Sequence, residues 1–486
     1  MRQPAAFISE LSRMRRVDFK EMSVECPSCK ALHWKSEKSS GTADSPVFES
    51  CCKQGKVVIP LLQEPPQLLK NLFTGHHERS VHFLNNIRQY NSTFAFTSFG
   101  AKSTNVHHNN SGITMFQAHG ELYHLQGPIE NNDSEQLPRN AQLYIYDPEV
   151  AARLRSTGSS NVDLNSEIIS SITNVLHTCN NPFVRIYKHA HEILSAESVR
   201  QSENNTDEVF HVVVSPEMKM ELIVGSDSRT QNLPTANEIA AIIPNEYSER
   251  SVRDIVITYK NNNRNQYNYH RIHETHAAYM PLHYVLLFPM GDYGWNWGMK
   301  LANNANNASN AEKRLAQRAH YRYRLHPRVD EFSTLFYAKR LFQQYVVDTF
   351  AICDQTALKW IKSNQSSLRA DVYNGVVDAI NEGDYRLEDI GQKCILPSSY
   401  CGGPRFMAML YQDAMAIVRK LGKPSLFITF TANPQWIEIQ RELLPGQCPN
   451  DRPDIVARVF NMKARQLLKD IKGSRNGRGI ITMLSV

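Results

Sequence analysis

Long apolar runs are missing from this chain of 486 residues. No stretch reaches 18 consecutive apolar residues, so nothing in it reads as a membrane span. The opening twenty residues, MRQPAAFISELSRMRRVDFK, lack the apolar core of a secretory signal. Their arginines flank a short amphipathic piece, which makes a weak targeting signal. An intracellular setting, nuclear or cytoplasmic, is the expectation. Phosphate loops are missing too: no segment reads Gly-x4-Gly-Lys-Ser/Thr. Gly422-Lys423-Pro424-Ser425 has proline where a donor is needed and lacks the first glycine. No bound nucleotide and no nucleotide-driven motor are expected from this sequence. Gly-x-Ser-x-Gly and kinase signatures are absent as well. Charge of one sign does not dominate. The 54 basic and 48 acidic residues leave +6, which permits nucleic-acid binding without requiring it. An odd cysteine count, nine, argues against a disulfide framework in a reducing compartment. Cys179, Cys353, Cys394, Cys401 and Cys448 are isolated and read as free thiols.

What is present suffices for a buried core: 41% apolar and 21% charged residues. Residues 1–20 read as a basic arm and 21–63 as a cysteine-bearing, zinc-finger-like segment. Residues 64–300 read as a mixed α+β domain. Helices are expected around Leu68–Phe73, Val81–Tyr90 and 163–198. Strands are expected at Phe94–Ser98, Ile113–Ala118, Gln142–Tyr146, His211–Val214, Glu221–Val224 and Ile255–Tyr259, in a mixed sheet. The asparagine-rich stretches 261–269 and 302–310 read as loops, and residues 301–315 as a linker. Beyond residue 316 the rhythm is helical across Glu331–Lys362, Arg405–Leu421 and the segment after Pro453. Between them, Leu426–Phe430 reads as a strand and Asn433-Pro434 as a helix cap with proline in the first turn. Residues 473–486 form an unusual small, basic, glycine-containing tail.

The strongest chemical signal is Cys26-Pro-Ser-Cys29-Lys-Ala-Leu-His33-Trp34, followed by Cys51-Cys52-Lys-Gln-Gly55-Lys56. A Cys-x2-Cys knuckle aims two thiolates at one tetrahedral Zn²⁺. The second pair must come from Cys51, Cys52 and His33. Adjacent cysteines diverge in extended backbone. That leaves one of them with His33, or both from a bent turn. Two histidine pairs are weaker. His189 and His191 fall on a helical pattern, where positions i and i+2 diverge by about 200°. His273 and His276 have i, i+3 spacing rather than the i, i+4 of zinc-protease helices.

The segment from Leu396 to Trp436 runs from a glycine-proline turn through a helix stopped at Gly422 to a threonine-lined strand end. Thr431, Asn433 and Trp436 are expected to gather there. Backbone N–H groups at such an edge can hold phosphate, and Trp436 can stack on a base. This segment resembles the Rep region of Helitron transposon Rep/helicase proteins. So do Phe342-Gln-Gln-Tyr345-Val-Val-Asp348, Leu368-Arg-Ala, Tyr279–Pro289 and Gln142–Asp147. The cysteine cluster looks like that family's zinc-finger-like segment. Residues 316–472 then correspond to a partial Helitron helicase-like N-terminal domain.

The resemblance implies nicking and joining of single-stranded DNA by a His-hydrophobic-His metal site and a tyrosine nucleophile near a lysine. No histidine follows Trp436, and no tyrosine has lysine three or four residues later. No catalytic residue is therefore assigned, and the chain reads as a truncated copy that is not an enzyme by itself. The expected fold is α+β: a small zinc knuckle, a mixed α/β middle domain and an incomplete Rep-like C-terminal domain. The expected partner is DNA, single-stranded, contacted by Arg405, Lys420, Lys423, Thr431, Asn433 and Trp436. Lys463, Arg465 and Lys469 are further phosphate candidates. The alternatives are a metal-dependent nuclease built on histidines such as His189 and His191, and a host-recruited, non-catalytic interaction module.

Overall fold

The computed structural model describes residues 17–42, 45–106, 115–127, 138–157, 163–179, 181–204, 210–214, 220–224, 255–258, 270–302, 313–365, 395–424 and 428–473. Within these it divides into two compact units: Met1–Asp348 with Pro434–Val456, and Thr349–Asn433 with Ala457–Val486. Among the described residues, no helix is long and apolar enough to cross a membrane. The fold is α+β, with helices and small antiparallel sheets.

The first unit opens on two short hairpins. In one, β1 (Val24–Glu25) pairs antiparallel with β2 (Leu32–His33); in the other, β3 (Ser40–Gly41) pairs with β4 (Pro46–Val47). Pro65-Pro66 then introduces α1 (Gln67–Thr74), which buries Leu69, Leu72 and Phe73 and stops at left-handed Gly75. The single helix predicted over Val81–Tyr90 is instead two, α2 (Ser80–Asn85) and α3 (Ile87–Phe94). Asn86, at φ −107° and ψ 19°, breaks it. Helix α3 buries Ile87, Tyr90, Asn91 and Phe94, one stripe at helical spacing. Phe94 therefore ends a helix, and the strand predicted at Phe94–Ser98 begins only at Ser98.

Strand β5 (Ser98–Val106) pairs antiparallel with β6 (Met115–Gln126). Gln142–Tyr146, predicted as a strand, lies in a 3-10 turn over Asn140–Tyr144. Asn140 takes φ 52°, and Arg139 N donates to Gln142 Oε1 at 2.8 Å, so the chain coils where an apolar run alone suggests extension. Three helices follow: α4 (Pro148–Thr157), α5 (Ser166–Thr178) and α6 (Pro182–Asn204). Asn165 caps α5 by accepting from Glu167 N and Ile168 N. Strand β7 (Phe210–Val214) pairs with both β8 (Met220–Val224) and β9 (Ile255–Thr258), all antiparallel, where a mixed sheet was expected. Strand β10 (His270–Ile272) adds to β6. Residues 261–269 and 303–310 lie outside the described residues. The flanks of the second asparagine-rich stretch pair antiparallel, with Leu301 N on Lys313 O and Leu315 N on Met299 O, each 2.9 Å.

Short α7 (Tyr279–His283) and α8 (Gln317–Arg324) precede the long α9 (Lys339–Ser363). At the start of α9 sits a fully buried polar network. His124, on the inward face of β6, places Nε2 2.9 Å from Asp348 Oδ2, and neither side chain is exposed. Tyr284 donates its hydroxyl to the same oxygen at 2.9 Å. The His124 ring is stacked between Tyr279 at 3.9 Å and His283 at 4.4 Å. Burial, then the neighbouring His124, holds His283 well below the usual histidine range, so it is neutral. Burial, then Asp348, pushes the Tyr284 phenol well up, so it stays a donor.

In the second unit, α10 (Pro404–Leu421) begins at extended Gly403 with proline in its first turn and ends at Gly422, φ 86°. It buries none of its residues. Tyr400 donates to both oxygens of Asp354, at 2.8 and 2.9 Å. Residues 428–430 take no regular secondary structure, and 426–427 lie outside the described residues. Phe430 stacks on Phe460 instead, at 5.4 Å. Asn433-Pro434 does not cap the next helix. Trp436 occupies that position, before α11 (Ile437–Glu442) in the first unit, and Pro434-Gln435 form a turn. The last helix, α12 (Pro453–Gly473), starts where Pro453 predicts.

Replacing Asp348 by alanine strands two buried donors and is expected to cost about 3–5 kcal/mol in urea unfolding. A loss under about 1 kcal/mol is the result that removes the network from the fold's support. Acid should also weaken this chain. Burial, then Arg324, lowers His320 to about 3, and burial, then Lys188, lowers His177 to about 4. Unfolded histidine takes its proton near about 6.5, so the unfolded state binds more protons below that value. Stability is then full above pH ~6.5 and falls as pH drops toward ~3. Urea midpoints at several pH values should show this slope, flattened in His320→Gln; an equal slope in the variant refutes the assignment.

Candidate metal centre

Two tight turns of the first unit face each other. In the first, Lys30 N donates to Cys26 O at 2.9 Å and Cys26 N to Ala31 O at 2.8 Å, with Lys30 left-handed at φ 60°. In the second, Lys53 N donates to Glu49 O at 3.2 Å and Val57 N to Cys52 O at 2.9 Å. Lys53, Gln54 and Gly55 are all left-handed there. A helix-like turn rotates neighbouring side chains by about 100° instead of the 180° of a strand. That is why adjacent Cys51 and Cys52 can face one point. A Cβ on Gly55 would come within 3.2 Å of Ser28 Oγ, so glycine lets the two turns close on each other.

The sulfurs of Cys26, Cys29, Cys51 and Cys52 all lie within 4.8 Å of one another. Cys26 Sγ and Cys51 Sγ are each 3.7 Å from Cys52 Sγ. Tetrahedral thiolate sites with bonds of about 2.3 Å place their sulfurs about 3.8 Å apart. The spacing therefore fits one four-coordinate ion. Gly55 N donates to Cys52 Sγ at 3.2 Å, a contact that favours the thiolate. The sulfurs also compete for protons. Contacts from Cys29, Cys51 and Cys52 draw Cys26 down, while contacts with Cys26 and then Cys29 push Cys51 and Cys52 up. If all four were deprotonated, a cation would have to stand between them.

Of the five predicted ligands, the structure gathers the four cysteines; His33 is not in the group. Its Nδ1 sits 3.1 Å from Glu37 Oε2, and its ring lies flat on Phe48 at 4.0 Å. His33 is a buried core histidine that anchors the second hairpin. Cys179, Cys353, Cys401 and Cys448 are in no disulfide, and Cys394 lies outside the described residues.

The apolar wall around the cluster comes from far along the chain. Phe48, Val57 and Ile59 pack with Trp295, Leu315, Ala319 and Tyr323. Ala31 bridges to Arg328, and Leu32 N donates to Pro327 O at 2.9 Å. Arg328, absent from the sequence-based assignment, reaches Cys29 directly. No spacing rule could link it to a cysteine 299 positions away.

The other predicted residues divide differently. Lys420, Lys423, Thr431 and Asn433 are exposed, and Arg405 is half-buried, all in the second unit. Trp436 is half-buried and falls in the first unit. His189 is exposed on α6, with Nδ1 3.4 Å from Glu192 Oε2. Its helical backbone turns it away from His191. His273 bonds Thr275, and His276 Nε2 lies 3.3 Å from Val214 O.

Residues 320–482 match the family model for the Helitron helicase-like domain at the N-terminus. The chain thus carries a Helitron helicase-like N-terminal domain, and Arg328 lies inside it. Comparison with curated proteins gives no match.

Metal binding should follow the sulfurs and not the imidazole. Cys51→Ser and Cys52→Ser should each lower metal content of the purified chain well below one ion, while His33→Gln should keep it. Loss of metal in His33→Gln with retention in Cys52→Ser reverses the assignment.

Proposed function

We propose that this chain is a DNA-binding component of Helitron-type rolling-circle transposition, that it acts on single-stranded DNA in the nucleus, and that a structural Zn²⁺ sits on Cys26, Cys29, Cys51 and Cys52. The match over residues 320–482 carries the reading. An all-thiolate, largely buried set selects zinc among common ions, and a closed four-ligand set is structural in kind. Zinc would lock residues 26–52 and supply no catalytic step. The surplus of six positive charges suits a polyanion. Lys420, Lys423, Thr431 and Asn433 are exposed where phosphate and base can reach them. The reading is of binding without nicking or unwinding. Among these 486 residues there is no phosphate loop and no tyrosine with lysine three or four residues later.

Fluorescence anisotropy of labelled single-stranded DNA tests this. Affinity should fall log-linearly with salt, and the Lys420→Glu/Lys423→Glu variant should bind more weakly, with a salt slope shallower by about 1.4. No binding at low salt refutes the DNA reading. Cleavage with Mg²⁺ or Mn²⁺ that leaves the protein attached to the DNA end refutes the non-nicking half.

A further inference from the structure

We propose that Arg328 is the charge-balancing partner of the metal-bound Cys29 thiolate, a positioning residue supplied to the cysteine centre by the Helitron helicase-like domain. The proposal rests on the metal reading of the four cysteines. Four thiolates around a divalent ion carry a net double negative charge, and burying it is costly unless a cation stands nearby. Three of the sulfurs are deeply buried, and Cys29 alone is half-exposed. Arg328 addresses that one. Its Nη2 lies 3.9 Å from Cys29 Sγ, and its Nε donates to Cys29 O at 3.0 Å.

The guanidinium is held so that one edge stays on the sulfur. Nη1 donates to Tyr323 O at 3.1 Å and His326 O at 3.0 Å. The plane lies over the Tyr323 ring at 3.6 Å. The Glu331 carboxylate lies 3.4 Å from Nη1, and it is shared with Arg324 at 3.4 Å. Glu331 also accepts from Leu62 N at 2.7 Å. One carboxylate divided between two buried guanidiniums leaves positive charge for the thiolate. An N–H donor on a metal-bound sulfur lowers its nucleophilicity and protects the ligand most open to electrophiles. Arg328 would therefore set how readily the metal is lost, beyond bracing the turn.

Cobalt substitution tests this in the full chain. Co²⁺ in the wild-type protein should give tetrahedral d–d bands and a sulfur-to-cobalt charge-transfer band. In Arg328→Gln the charge-transfer band should move to lower energy, and a thiol-reactive mercurial should release zinc about tenfold faster. Arg328→Lys should fall between the two. Glu331→Gln, which frees more of the Arg328 charge for the sulfur, should move the band the opposite way. A merely structural strut predicts no such pair of opposite shifts. Unchanged bands in all three variants overturn the proposal, with or without faster release. If Arg328→Gln fails to fold, the lysine and Glu331→Gln variants decide it by the same rule. Wild-type protein that takes up neither Co²⁺ nor Zn²⁺ refutes instead the metal reading underneath.

Discussion

Four cysteine sulfurs lie within 4.8 Å of one another, close enough to hold one metal ion, and as thiolates they would repel without a cation between them. Much of the N-terminal architecture follows. The hairpins β1–β2 and β3–β4 are two residues per strand and could not persist by themselves. They stand because two turns meet at the sulfurs and because Phe48, Val57 and Ile59 lean on Trp295, Leu315 and Tyr323. The cysteine segment is therefore no free finger. It is built against Trp295, Leu315, Ala319, Tyr323 and Arg328, the last two inside the Helitron helicase-like domain.

A second constraint lies deeper in the same unit. The inward face of β6 carries His124 and Gln126 where a purely apolar sheet would place aliphatics. His124 and Tyr284 converge on one oxygen of the buried Asp348 carboxylate, Oδ2, and are what offset its burial there. Such a network fixes which residue of α9 faces β6. It selects one packing over near alternatives more than it adds net stability.

The second unit is built otherwise. Helix α10 is amphipathic in sequence yet buries none of its residues, and residues 428–430 take no regular secondary structure. Its basic and polar candidates for DNA are spread along a helix end and an open segment. Binding there would rest on charge and exposed backbone more than on a preformed pocket.

Periodicity and punctuation determined several elements outright. The proline start and glycine stop of α10 and the Pro453 start of α12 are local effects of side-chain spacing and φ preference. The Cys-x2-Cys knuckle was legible for the same reason, since its chemistry fits within four residues. Tertiary structure decided what local rules leave open. Gln142–Tyr146 coils because Asn140 turns left-handed and Gln142 caps Arg139, against an apolar pattern that favours a strand. Cys51 and Cys52 both serve one centre because a bent turn replaces extended backbone, while His33 is drawn off to Glu37 and Phe48. Arg328 and Asp348 could be placed only by the fold. Cys29 lies 299 positions from Arg328 and His124 lies 224 from Asp348, and a charge finds such a partner through burial, which spacing along a chain does not encode.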